Sequence, residues 1–413
     1  MTRPSSLGHD LRGAARLAVD ATAGLTDLVE AVHARIARLP GSAATPEQAL
    51  GRTRGISGLV YKSIRGVTRL AGGGVDALLG VLAHALVSGR ENAEGKSERQ
   101  VEREAVVAAL NGVLGDHLAA SDNPLAIEMT LRSDGRALPL QRDELARRLS
   151  NAQPRLVVLL HGLCMNDLQW QRGGHDHGAA LARDAGYSAV YLHYNTGRHI
   201  GANGAELSAL LQRLLDAWPV PLARVALLGH SMGGLLARSA LAQGTAAGLH
   251  WPARTDDLVC LGTPHQGATL ERAGHWVDRV LGATPYAAPF ARLGRLRSAG
   301  ITDLRHGNLL DPAAVAPAAI ARSGLGKLPP HLPLPDGVRC YAVAGSLGSR
   351  EGDAKGRLLG DGLVALDSAL GRHADTERVL RFPPERQWVG NGISHLGLLS
   401  DANVYGRLRA WLT

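Results

Sequence analysis

The sequence predicts an α/β protein, with a mostly parallel sheet covered by helices on both faces, a helical N-terminal extension and an inserted cap. Three observations predict it. From residue 156 onward, short apolar runs alternate with helix-forming stretches, the pattern of strands buried on both faces by crossover helices. One of those runs, Val225 to Leu228, leads directly into Gly229-His-Ser-Met-Gly233 and then into a helix-forming run. Before residue 120 apolar positions recur instead at helical spacing.

Taken in order, Leu25, Leu28, Val29, Val32, Ile36 and Leu39 mark one helical face. A second runs from Ile56 through Leu59, Val60, Ile64, Val67 and Leu70, resuming after Gly72-Gly-Gly74 at Val75, Leu78, Leu79, Leu82 and Leu86. Residues 1–90 hold 11 Lys+Arg against 6 Asp+Glu, a net of +5 out of +8 for the chain. Basic amphipathic helices of this kind either pack on the body of a protein or lie on an anionic membrane or lipid surface. The sequence leaves both open, with packing favoured.

Gly89 to Arg103 reads as a polar linker, and Val101 to Leu118 as a third amphipathic helix. The stretch Leu125 to Leu131, followed by a turn at Ser133-Asp134-Gly135, predicts an antiparallel pair at the sheet edge. Strands are then expected at Leu156 to Leu160, Ala189 to Leu192, Val225 to Leu228, Leu258 to Leu261 and Val338 to Val343. Between Gly282 and Pro335 the alternation breaks in a stretch rich in Pro, Ala and Arg. A segment that long inside an α/β body is expected to be a cap or lid, or a helical packing excursion without a gating role.

Composition excludes several classes. At 413 residues the chain exceeds an average domain, and 45% hydrophobic with 20% charged residues is the balance of a globular protein, not a disordered one. No run of consecutive basic residues accompanies the net charge and aromatics are 4%, which argues against a nucleic-acid partner. The three cysteines, Cys164, Cys260 and Cys340, are odd in number, far apart and without metal-ligand spacing. With no apolar secretory leader at Met1 to Asp10 and no stretch of bilayer-spanning length, the expectation is a cytoplasmic protein, peripheral at most on a lipid surface.

The chemistry gathers around Ser231. In G-x-S-x-G the serine occupies a sharp strand-to-helix turn, and a side chain at either flanking glycine would collide with neighbouring backbone. The turn lifts the hydroxyl clear of the sheet and leaves the Met232 amide at a helix N-terminus, facing negative charge that develops on a bound carbonyl oxygen. A second such amide is expected from Leu163, in the loop His161-Gly162-Leu163 after an early strand. A serine hydroxyl needs a base, and the base an orienting carboxylate. Downstream in the expected order lie Asp361, 130 residues on, between two glycines, and His395, 34 further, before the last helix. Asp353, Asp367 and Asp375 compete for the acid's place, and His373 for the base's.

These motifs, together with Gly262-Thr-Pro-His-Gln-Gly267, Asp361-Gly-Leu-Val364 and His395-Leu396, resemble the α/β-hydrolase family, within it lipases and esterases of bacterial type, with some likeness to inositol-deacylase-like hydrolases. The resemblance covers roughly residues 150–413. It implies an eight-stranded, mostly parallel sheet, Ser231 as nucleophile, His395 as base, Asp361 as orienter and the Leu163 and Met232 amides as oxyanion donors. His161, Gly162, His230, Thr263 and His265 are expected at the substrate pocket, His161 and His265 in structural rather than catalytic roles. No cofactor and no metal is expected, since Gly397 stands where secreted relatives carry a calcium-holding aspartate. The expected division is a helical region at 1–120 and a hydrolase domain at 121–413 with its cap near 282–335. The expected activity is hydrolysis of acyl or lipid esters through an acyl-enzyme. An acyltransferase or thioesterase on the same residues, or an interaction protein working through its N-terminal helices, are the alternatives.

Overall fold

The structure is a computed structural model and describes residues 96–267, 298–310, 331–348 and 359–413, together with Gly13. The first described helix, α1 (Lys96–Ala120), buries Val106, Ala109, Leu110 and Val113, a spacing of three and four residues that makes one face. A hairpin follows, β1 (Thr130–Ser133) and β2 (Arg136–Ala137), joined by Asp134 and Gly135 at φ +51° and +68°. Two consecutive positive φ angles are what a tight hairpin turn requires, and Asp-Gly supplies them at little cost.

After α2 (Arg142–Arg148) the chain alternates: β3 (Arg155–Leu160), α3 (His177–Ala185), β4 (Tyr187–His193), α4 (Ile200–Ala217), β5 (Arg224–His230), α5 (Met232–Ala246) and β6 (Asp257–Leu261). Then come α6 (Ala299–His306), β7 (Arg339–Ser346), the short α7 (Leu366–Ala369), β8 (Gln387–Asn391) and α8 (Ala402–Leu412). Helix boundaries are written in the sequence: Asp176 accepts from the Ala179 amide at 2.9 Å to start α3, and Gly186 at φ +64° ends it.

The sheet has eight strands in the order β2-β1-β4-β3-β5-β6-β7-β8. β1 runs antiparallel to β2 and β4, and every other pairing is parallel. Successive residues of β3 serve opposite faces: Leu156, Val158 and Leu160 enter one core with Leu227, Leu236 and Trp251, whereas Val157 and Leu159 enter the other with Leu228, Val259 and Leu408. Because β3 is flanked by β4 on one side and β5 on the other, the chain reverses direction across the sheet there. Such a switch point opens a crevice at the strands' C-terminal ends, where β3 and β5 deliver His161 to Leu163 and Ser231.

The expected strands are present, with β7 reaching Ser346. Three readings change. Residues 96–100, expected as linker, are helical, so the third helix begins ahead of the expected Val101, and its buried apolar face starts at Ala105. β8 was not expected, since Gln387-Trp-Val-Gly-Asn391 is short and half polar, as an edge strand can be. Of the cap stretch, residues 298–310 and 331–335 are described. α6 within it docks on the start of α4, Asp303 Oδ2 accepting from the Ile200 amide at 2.9 Å and facing His199 Nδ1 at 3.0 Å. The N-terminal helices expected across residues 1–90 lie outside the described residues, apart from Gly13, whose carbonyl accepts from Asn123 Nδ2 at 3.1 Å. Among the described residues no helix is long and apolar enough to cross a membrane. The three cysteines are free and buried.

At the other end of the sheet Asp257, fully buried, accepts from Arg224 Nε at 2.7 Å and from Arg339 Nε and Nη2 at 2.8 and 3.0 Å. Arg224 also holds the carbonyls of Trp411 and Leu412, tying the last helix to the sheet. Asp257→Ala leaves two guanidinium groups without their acceptor. With Arg339 partly exposed and therefore screened, a loss of about 3 kcal/mol is expected, at the lower end for a broken buried pair. A shift in urea midpoint measures it.

Candidate active site

Ser231 sits at φ +55°, ψ −121°, a conformation that non-glycine residues rarely adopt and that costs about 1–3 kcal/mol. The surroundings impose it. A Cβ at Gly233 would lie 2.1 Å from the Leu160 carbonyl oxygen, and one at Gly229 would lie 2.5 Å from Gly234 backbone, so the turn closes only with glycine at both places. The Ser231 amide donates to the Leu261 carbonyl at 2.8 Å, which pins the turn between β5 and the end of β6.

His395 and Asp361 arrive from the other side of β6. His395 Nδ1 lies 2.7 Å from Asp361 Oδ2, and the His395 amide donates to the Asp361 carbonyl at 3.0 Å. The second carboxylate oxygen, Oδ1, accepts from the Leu363 and Val364 amides at 3.0 and 2.8 Å, which fixes the carboxylate's plane. Side chains of both residues are buried. Between them and the serine turn runs Gly262, at φ +56°, where a Cβ would lie 3.0 Å from Asp361 Oδ2 and 3.1 Å from His395 Cε1. Glycine there lets the end of β6 lie against both side chains. Ser231 is tied to Leu261 through its amide, and His395 lies against the next residue, Gly262, and against His230, the residue before the serine.

The expected pocket histidines are structural in their contacts. His230 donates from Nε2 to the His395 carbonyl at 3.1 Å, its ring 4.7 Å from that of His395. His161 stacks on Tyr194 at 4.4 Å and bonds the Gly162 carbonyl through Nδ1 at 3.0 Å, while the Tyr194 hydroxyl donates to the His161 carbonyl at 2.9 Å. His161, His230 and Thr263 are wholly buried. Gly162 is packed against the serine turn, since a Cβ there would lie 3.1 Å from Ser231 Cβ. Met232 opens α5 directly after Ser231, and Leu163 follows Gly162 in the loop after β3. α1 supports this loop from behind: a Cβ at Gly112 would fall 2.2 Å from Cys164 Sγ. Of the rival residues, Asp367 and Asp375 are exposed, and His373 accepts from the Asp375 amide in a surface turn. Asp353 lies outside the described residues.

Burial keeps these histidines neutral. It pushes His161 down to about 3 and His177, which holds the Leu398 carbonyl three residues beyond His395, to about 4. His230, through burial and the neighbouring His395, and His265, through burial and Arg238, are also held well below the ordinary value. In the unfolded chain each takes up a proton near pH 6.5, so below that pH the unfolded state binds more protons and folding is weakened. Stability is therefore complete above about pH 6.5 and falls as pH drops toward the folded values, by up to about 1.4 kcal/mol per histidine per pH unit. Urea midpoints taken from pH 8 to 5.5 should be flat at first and then decline; a midpoint constant down to 5.5 contradicts this.

Glu104, Asp167 and His193 come together in a cluster with metal-ligand chemistry. Arg132 already fills it, 2.8 Å from Glu104 and 3.2 Å from Asp167. His193 faces Asp167 at 2.8 Å. Although burial pushes the Asp167 carboxyl up, His193 and Arg132 hold it below the ordinary value. The arrangement is an ion-pair network bracing β1 and β4. A cavity of about 540 Å³ bordered by Leu215, Trp218, Leu222 and His250 opens near the start of β5, at the opposite end from Ser231.

What the geometry assembles can be set beside known proteins. Residues 151–281 match the family described as PGAP1-like alpha/beta domain. No curated protein is similar in sequence. Among solved structures the chain is similar to the lipase BlEst2 of Bacillus licheniformis, at 18% identity and TM-score 0.43, over 69% of this chain and 98% of that one. The esterase Pf2001 of Pyrococcus furiosus is similar at 15% identity and TM-score 0.37, over 63% and 80%. The thioesterase RedJ, from the prodiginine biosynthetic pathway in Streptomyces coelicolor, is similar at 17% identity and TM-score 0.36, over 63% and 85%. These likenesses are distant. Residues 151–281, which are similar to that PGAP1-like alpha/beta domain, hold β3 to β6 of the eight-stranded sheet and the serine turn at the end of β5.

Proposed function

We propose that this protein is a serine hydrolase that cleaves carboxylic esters through an acyl-enzyme. The observation that carries the reading is the 2.7 Å pairing of His395 Nδ1 with Asp361 Oδ2 beside a serine held at φ +55° on a strand-to-helix turn. With Nδ1 committed to the carboxylate, Nε2 is the nitrogen left to accept a proton. Ser231 Oγ attacks the ester carbonyl and gives its proton to Nε2. The tetrahedral oxyanion is met by the Leu163 and Met232 amides, each contributing about 3 kcal/mol of barrier lowering. His395 then protonates the leaving alcohol, and water reverses the sequence to release the acid. The Ser231–His395 hydrogen bond is absent from the resting site, and such bonds commonly tighten only once substrate is bound.

An apolar acyl group suits the surroundings. Leu163 and Met232, which flank the serine turn, pack in one apolar cluster with Ile301 and Leu304. Wild-type protein should label with a fluorophosphonate probe and turn over p-nitrophenyl esters, with kcat/KM rising from acetate to medium acyl chains. An unlabelled wild type sinks the reading; labelling with acetate preferred over octanoate leaves a serine hydrolase and removes the apolar acyl group.

A further inference from the structure

Arg238 lies on α5, two turns beyond the nucleophile, and is 3% exposed. A guanidinium stays charged, and a buried charge is costly unless an anion meets it. Among the described residues no carboxylate does. Arg238 donates to the Leu332 carbonyl through Nη2 and lies 3.3 Å from His265 Nδ1 through Nη1, while its Nε has no acceptor. Since a guanidinium only donates, His265 Nδ1 accepts and the ring proton sits on Nε2. That Nε2 is also buried without a partner. Two buried donors, one on a cation, thus have no partner among the described residues, in a protein interior where such groups are normally satisfied.

Both residues line a cavity of about 40 Å³. A water needs roughly 10–15 Å³ measured this way, so the space suits a group of a few heavy atoms. Gln266, His306, His331, His373 and Arg378 also line it, and among the described residues no acid does. The acid that reaches His331 electrostatically, Asp375, is exposed and turned onto the Glu377 amide at 3.0 Å. We propose that this cavity is a binding site for a phosphate-type oxyanion, with the buried Arg238 and His265 side chains in its wall supplying the charge and the donors and the other histidines at its mouth. The charge is the right sign, the donors are directional, and a bound oxyanion removes the cost of burying Arg238 alone. Burial holds His331 below its ordinary value, aided by Arg238, Arg378 and His373; an anion among them reverses that charge effect. Neither Ser231, Asp361 nor His395 lines this cavity.

The test uses the full chain and inorganic phosphate, against chloride at equal ionic strength. Phosphate at 10 mM should raise Tm by about 2 °C or more and shift the His265 Nε2 signal in a spectrum of ¹⁵N-histidine protein. Arg238→Met, which replaces a buried charge with an apolar side chain of similar length, should fold and bind phosphate at least tenfold more weakly, about the loss of one charge-assisted bond. If that variant fails to fold, His331→Ala at the mouth should weaken phosphate by roughly threefold, the scale of one exposed charge contact. Glycerol 3-phosphate in a parallel titration separates the sources: tighter binding than phosphate identifies an esterified phosphate, weaker binding a free anion. A wild type whose Tm and His265 signal ignore phosphate, or an Arg238→Met protein that binds it undiminished, overturns the proposal. Both readouts are independent of ester turnover, so an inactive enzyme with a phosphate response still supports the site.

Discussion

Ser231→Ala is expected to abolish fluorophosphonate labelling and to lower kcat on p-nitrophenyl esters by about six orders of magnitude, leaving the fold intact. The size follows from the way these residues act as a unit. Without the hydroxyl there is no acyl-enzyme, and what remains is the contribution of the oxyanion amides to direct attack by water. The fold should survive because the turn's conformation is imposed by Gly229, Gly233 and the Ser231 amide bond to Leu261, none of which needs the hydroxyl. Circular dichroism and a urea midpoint unchanged within about 0.5 kcal/mol accompany the loss if this is right. An alanine variant that still labels places the nucleophile elsewhere.

Asp361→Asn is expected to lower kcat by about four orders of magnitude with little change in stability. The carboxylate's two oxygens do different work: Oδ1 accepts the Leu363 and Val364 amides, and Oδ2 faces His395 Nδ1. An asparagine keeps its carbonyl oxygen on the two amides and turns its NH₂ toward the imidazole. Nδ1 must then accept, the ring proton moves to Nε2, and the histidine presents a donor where a base is required. Asp361→Ala removes both functions, so it should lose stability as well as rate. Equal unfolding midpoints for the asparagine variant and wild type, with kcat reduced and KM little changed, distinguish a positioning loss from a collapsed loop. An asparagine variant within tenfold of wild type removes Asp361 from the mechanism.

Much of the fold was legible because its signals are local. Buried parallel strands need uninterrupted apolar runs, and β3, β5 and β6 show them; the hairpin needs positive φ, and Asp134-Gly135 announces it. β8 was not legible, because an edge strand needs neither a continuous apolar run nor strict alternation, and Gln387 to Asn391 has neither. Residues 96–100 were read as linker from their charge, which does not by itself forbid a helix.

The nucleophile turn was read from one pentapeptide, while the roles of Gly262 and Arg238 were not read at all. Gly262 looks like one glycine among 51 until Asp361 and His395 are found against it. Arg238 looks like an ordinary helix arginine until burial shows that nothing among the described residues neutralises it.

The sequence by itself determined the alternating sheet, the turn that raises Ser231 and the order in which acid and histidine follow it, because each is set by side-chain size, backbone freedom and hydrophobic period within a few residues. Only the tertiary structure decided that Asp361 rather than another aspartate meets His395, that α1 packs behind the Leu163 loop, and that a cation is buried beside His265. Those are matters of which distant residues share a volume, and desolvation, which gives a buried charge or a 2.7 Å pair its energy, exists only once the chain has closed around them.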